Sequence, residues 1–425
     1  MLEQTLAITT GMADSIMVAS AGEAAVSGVS LVDTVNLLMI YLFTALAGGG
    51  AVVISQFIGR NDLENAKSSA KQLIWIVLSI SSALMIIALI LRAPLLRWIF
   101  GSIDQLVMEN AKVYFLFTAM SFPFFALYNS CAAIFRSMGN SKISLNISIV
   151  MNAINVLGNA LLIFVFHMGA AGAAIATLVA RIIGAALMLI FVHNKKNIVY
   201  VEKLIHYKPN FLLIKKICSI GIPNGFENSM FQFGKVMTQS LISTFGTAQI
   251  AANAVGNAIS PIQYIPGNAI GLTMITIIGQ CVGAREKEQA KKYALKLLTI
   301  AYLSIITISV FMCIFAKPLI SFYNLSYESS ELTYKLIIYH SLAVSLIWPT
   351  AFTLPNSFRA ANDVKFTMIL SITSMWIFRV GLSYVFGLYM NMGIMGVWYA
   401  MTCDWLFRAI IFGTRYIKGT WLKRV

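Results

Sequence analysis

Apolar stretches of about 20 residues, each long enough to cross a bilayer as a helix, recur from one end of this chain to the other. No water-soluble shell can be built around such a sequence. Of its 425 residues 59% are apolar and 11% charged, whereas soluble domains carry about 25% charged residues. Soluble-enzyme folds are thereby excluded. Read between bounding Gly, Pro and charged residues, the runs predict twelve spans near 2–19, 28–58, 73–97, 108–136, 141–166, 168–192, 214–244, 248–280, 294–316, 332–358, 363–389 and 391–414. The expected fold class is an all-α polytopic membrane protein with twelve transmembrane helices, and the bilayer is its first partner.

The chain has 31 basic against 16 acidic residues, a net charge of +15. In a soluble protein that excess would point to nucleic acid; in a membrane chain it marks cytoplasmic loops, so no nucleic-acid partner is expected. With the N-terminus cytoplasmic, the inside segments hold 21 basic residues and the outside segments 5. The inside set includes Arg60, Lys67, Arg136, Lys203, Arg285, Arg359 and Arg424. A missed span would scramble that bias. Twelve spans with both termini cytoplasmic, in the cell membrane, is the topology expected.

The chain also repeats itself at an offset of 223 to 224 residues. Gln56, Gly59, Glu64, Ala66 and Lys67 recur as Gln280, Gly283, Glu288, Ala290 and Lys291, and Met168, Gly169 and Gly172 recur as Met392, Gly393 and Gly396. Phe135, Arg136 and Lys142 recur one residue earlier, as Phe358, Arg359 and Lys365. An even number of spans per copy gives both halves the same orientation. This predicts two six-helix bundles related by a pseudo-two-fold axis, residues 1–192 and 214–425, joined by a cytoplasmic linker over 193–213. It is the layout of a two-bundle transporter. Gly22 aligns with Gly246, which sets Met1 opposite Gly225, so the first helix reads as short at its start; either the natural chain begins short or the sequence is a fragment or has a mis-assigned start, and the latter is the expectation.

Five cysteines without a CxxC spacing and four scattered histidines (His167, His193, His206, His340) offer no metal or cofactor motif. No cofactor is expected.

MADSIMVASAG in span one, VVISQFIGRND after span two, FRSMGNSK after span four, NVLGNALLIF with MGAAGAAIAT in spans five and six, and GIPNGFENSMFQFGK opening span seven together resemble the multidrug and toxic compound extrusion (MATE) family over essentially the whole chain. The resemblance implies export of amphipathic, often cationic small organic compounds, driven by inward flow of Na+ or H+. It also implies roles for particular residues. Asp14 matches the family's acid in span one, Asn155 and Asn159 match its span-five asparagine and Asp/Asn positions, and Thr177 matches the threonine of its GAAIAT-like segment. A carboxylate, two amide oxygens and a hydroxyl form an oxygen-only set suited to a small transported cation, Na+ or H+. The bland reading of the same groups is interhelical hydrogen bonding.

The repeat separates these readings. Asp14 corresponds to Thr238, Thr177 to Met401, Asn155 to Phe378 or Arg379, and Asn159 to Leu382 or Ser383. The second copy has lost the constellation, which assigns cation coupling to the N-terminal bundle. Glu227, four residues past the helix-opening Pro223, is the second-bundle candidate, and its repeat partner is Glu3. Lys235 could pair with Glu227 or with Asp14. Trp348 stands where one branch of the family has an acid. Asp404 and Arg408, four apart on span twelve, read as a structural ion pair; Arg181 and Arg379 have no obvious partner.

Three rival readings are weaker. A lipid-linked saccharide flippase would need more cations than Lys235, Arg181 and Arg379 to hold pyrophosphate. An intramembrane enzyme would need paired catalytic groups, and a channel a repeated selectivity filter.

Overall fold

The structure, a computed structural model, describes residues 2–101, 103–202, 204 and 208–423. Lys203, His206 and Arg424 lie outside the described residues. The helices are α1 (Leu2–Ala19), α2 (Glu23–Gly59), α3 (Leu63–Phe100), α4 (Gln105–Met120), α5 (Phe122–Ser137), α6 (Ser141–Asn159), α7 (Gly169–Val192), α8 (Phe211–Ile242), α9 (Thr247–Ile259), α10 (Pro261–Gly283), α11 (Lys287–Ser321), α12 (Tyr327–Trp348), α13 (Pro355–Ala360), α14 (Val364–Ser374) and α15 (Gly393–Ile417). Four wider π-helical turns extend three of them: Ala160–Val165 follows α6, Pro349–Thr353 follows α12, and Met375–Gly381 and Tyr384–Tyr389 follow α14.

Among the described residues nine helices are long and apolar enough to cross a membrane. The count is ten if α4 and α5, bent by 43°, form one span. Pro123 lies just inside α5, where it withholds a backbone donor and opens the bend. The chain is an all-α, multi-pass membrane protein. Helices α1 and α8 occupy the first and seventh expected spans but miss that apolarity test; they carry Glu3, Asp14, Glu227 and Lys235.

The chain divides into two compact units, Leu2–Gly225 and Phe226–Val425. The division falls inside α8 rather than at the 193–213 linker. In the first unit α2 packs on α3, α4 and α5, and α6 packs on α1 and α7. The first half of α8 docks on α2 through glycines: a Cβ on Gly49 would lie 2.7 Å from the backbone nitrogen of Gly221. In the second unit α10 packs on α11 and α13, and α12 on α9, α11 and α15. Its core clusters include an aromatic one of Phe358, Phe412 and Trp421 and another around Trp348 and Trp405.

Each unit carries the sequence repeat in its backbone. Positive φ occurs at Gly22 and Gly246, at Asn61 and Arg285, at His167 and Asn391, and at Gly139 and Asn362, all pairs at the repeat offset. A left-handed residue at these helix corners reverses the chain, and glycine or asparagine tolerates it best. The π turn Ala160–Val165 likewise recurs as Tyr384–Tyr389. Between Lys365 and that turn the second copy holds one extra residue. The π turn Met375–Gly381 lies in this interval and absorbs it, because a π turn takes one more residue than an α turn.

Candidate functional site

The first unit brings together the four residues expected to act on a cation. Asn155 and Asn159 lie one turn apart on the buried face of α6, and α6 stops being α-helical at Asn159, where the π turn begins. Helix α7 approaches closely because Gly158 faces Ala176, 3.0 Å from where a Cβ would be. That proximity sets Thr177 beside Asn155. In the orientation satisfying both ends of the Asn155 amide, its nitrogen donates to Asp14 Oδ1 at 2.8 Å and its oxygen accepts from Thr177 Oγ1 at 3.1 Å. Asn159 Nδ2 donates to the same Asp14 oxygen at 2.5 Å. The Asn159 carbonyl oxygen is buried without a hydrogen-bond partner, an acceptor left over beside a carboxylate.

Sequence reading missed a second acid here. Asp33 on α2 accepts from Tyr114 Oη at 3.2 Å and from Asn36 Nδ2 at 3.3 Å, and it acts electrostatically on Asp14. The signal was available, since an ionisable residue inside an apolar run always requires an explanation. Arg181, which had no partner in sequence, donates to Ser121 Oγ at 2.6 Å, lies 4.7 Å from the centre of the Phe125 ring, and acts on both Asp14 and Asp33. With both acids ionised, two carboxylates and one guanidinium leave a single negative charge.

In the second unit the candidates separate. Glu227 is buried and paired with Arg359 Nη2 at 2.8 Å, and Arg359 also donates to Asn356 Oδ1 at 3.0 Å. Of the two partners left open for Lys235 in sequence, Glu227 is taken instead by Arg359: Lys235 lies two helical turns along α8, and a guanidinium at the end of α13 reaches the acid first. Lys235 stands 5.3 Å from the centre of the Phe231 ring. Arg359, expected in a cytoplasmic loop, is mostly buried at a helix end. Asp404 and Arg408, 0% and 2% exposed, are joined at 2.8 Å. Ser374 Oγ also donates to Asp404, and Arg408 Nη2 donates to the Ser371 carbonyl at 2.9 Å. Among the described residues no group of three or more His, Cys, Asp or Glu is placed to hold a metal.

An internally repeated, all-helical membrane protein with ionisable groups buried inside its spans is a membrane transporter by class. The MatE family model matches residues 1–161 and again 223–385, one match on each copy of the repeat, and the chain belongs to the MATE family. It is 27% identical to the uncharacterized transporter YisQ of Bacillus subtilis, over 100% of this chain and 93% of that one. It is 24% identical to a probable multidrug resistance protein NorM of Thermotoga maritima, over 99% and 91%. An outward-facing multidrug resistance MATE family transporter superposes with a TM-score of 0.93 at 20% identity, and a MATE in the bent conformation with 0.91 at 21%; each alignment covers 100% of this chain and 94% of the other. Likeness at that identity speaks to the fold.

Proposed function

We propose that the protein is a cation-coupled antiporter that exports small organic compounds, often cationic, from the cytoplasm. In this reading α1 and α8 complete twelve spans, six to a bundle, with the bundles related by a pseudo-two-fold axis and both termini cytoplasmic. The observation that carries the coupling is Asp14 Oδ1 held by the amides of Asn155 and Asn159, with the Asn159 oxygen free beside it. The residual negative charge of Asp14, Asp33 and Arg181 suits one monovalent cation, and an oxygen-only donor set accepts either Na+ or H+. Transport couples to that ion only if ion and cargo favour different states of the protein. The ion neutralises Asp14, weakens its hold on the two amides and frees α1 to move against α6. The NorM relative is named a probable multidrug resistance protein, and the cargo class is taken from that name.

The test is efflux of a cationic dye or a fluoroquinolone from proteoliposomes under an imposed Na+ or H+ gradient. Asp14→Asn should lose gradient-driven transport while still binding dye. Unchanged gradient dependence would remove Asp14 from coupling.

A further inference from the structure

The ring of Phe231 in the second unit has three cations around it. Lys235 Nζ lies 5.3 Å from its centre, the Arg379 guanidinium carbon 5.4 Å and the Arg408 guanidinium carbon 5.6 Å. One carboxylate, Asp404, answers them, and it is paired to Arg408. Glu227, on the same stripe of α8, is taken by Arg359. Among the described residues of this unit, Lys235 and Arg379 therefore have neither an ion pair nor a side-chain hydrogen bond, and the charge of Arg379 acts on Lys235. A guanidinium carries five N–H donors, and cation–π contact satisfies none of them.

The backbone singles out the same place. Arg379 lies in the π turn Met375–Gly381, the one-residue insertion that the first copy lacks, and corresponds to Asn155 or its neighbour. Where the first unit sets an acid and amides, the second sets cations. Beside them runs an aromatic wall: Phe231 meets Phe352 edge-on at 6.2 Å, Phe352 stacks on Trp348 at 5.2 Å, and Trp348 on Tyr264 at 5.3 Å. Lys235 is exposed, while Phe231, Phe352, Tyr264 and Arg379 are half-buried, so the cluster is open to a ligand.

We propose that Lys235 and Arg379 bind the acid group of an amphipathic organic anion, with its apolar body against the aromatic wall. An oxyanion supplies the acceptors that Arg379 lacks, in the two-pronged geometry a guanidinium favours. Its negative charge also offsets the repulsion between two adjacent positive charges in a low-dielectric setting. The acid can come from a carboxylate-bearing soluble compound or from an anionic lipid headgroup. The site is independent of the cation-coupling reading and needs no gradient.

The test uses the full chain in phosphatidylcholine nanodiscs, with dansylglycine as the anionic probe and dansylamide as its neutral counterpart, read by dansyl emission. The parent should bind dansylglycine at least about tenfold more tightly than dansylamide, as one charged hydrogen bond warrants. Lys235→Met and Arg379→Met should each remove that preference and leave dansylamide binding unchanged; Lys235→Arg should keep it. Since the Lys235 side chain has no hydrogen bond to lose, the Met and Arg variants at that position decide the matter even if Arg379→Met fails to fold. Equal binding of the two probes by the parent, or a preference surviving Lys235→Met, would overturn the proposal. Adding phosphatidylglycerol distinguishes the sources: if it abolishes the preference the occupant is a lipid headgroup, and if the preference persists it is a soluble acid.

Discussion

Glu227 and Arg359 form a buried ion pair at 2.8 Å, and their counterparts one repeat earlier, Glu3 and Arg136, approach to 4.0 Å in the first unit. Tyr128 Oη also donates to Glu3 at 3.1 Å. The acid of span seven therefore belongs to an arrangement both copies kept, in which the first helix of each is tied to the end of the helix preceding a conserved-offset corner. Groups that recur in both copies hold the architecture. Asp14, Asn155, Asn159 and Thr177, which do not recur, are free to serve a function peculiar to one of them.

Glu227→Gln should accordingly act on stability. It strands the Arg359 guanidinium among buried groups, and breaking a buried pair from one side costs about 3–5 kcal/mol. The double variant Glu227→Gln/Arg359→Met should recover most of that loss. Thermal unfolding in detergent reads both; a single variant that unfolds with the parent would show the pair to be idle.

Asn159→Ala removes both a donor to Asp14 and the free acceptor beside it. A hydrogen bond to a charged group contributes about 1.5–3 kcal/mol, so the ion concentration giving half-maximal efflux should shift roughly tenfold or more. Protein yield should stay near that of the parent. Superimposable ion-dependence curves would place Asn159 outside the coupling set.

Gly49→Val should prevent folding of the first unit. Its Cβ would meet the Ile217 carbonyl and the Gly221 nitrogen at 2.7 Å, backbone atoms that cannot step aside as a side chain would. Gly48→Ala, whose Cβ finds its nearest neighbour at 3.9 Å, is the matched control. Size-exclusion profiles of the two variants check the contrast; a monodisperse Gly49→Val protein would mean that α2 and α8 do not approach as described.

Labelling with a membrane-impermeant maleimide tests the topology. In a cysteine-free background, Arg285→Cys and Lys418→Cys should react in inverted vesicles, and Lys112→Cys and Lys335→Cys in intact cells. The opposite pattern at any one position would shift the span count on that side of it.

The apolar runs, the repeat and the one-residue change in its offset were all legible in the sequence, because each is set by local composition or by linear spacing. So was the pairing of Asn155 with Asn159 on one face, since four residues in a helix make about one turn. Asp404 with Arg408 was legible for the same reason. The partners of Asp14 were suggested by resemblance, yet their contact spans 145 residues between Asp14 and Asn159, and no periodicity within a helix reports it. Lys235 illustrates the limit. Its spacing from Glu227 allowed a pair, but the rotation and packing of α8 against its neighbours gave Glu227 to Arg359 and left Lys235 at Phe231 with Arg379. Helices form from near neighbours in sequence, whereas which buried charge meets which depends on how whole helices turn toward one another, and only the folded chain decides that.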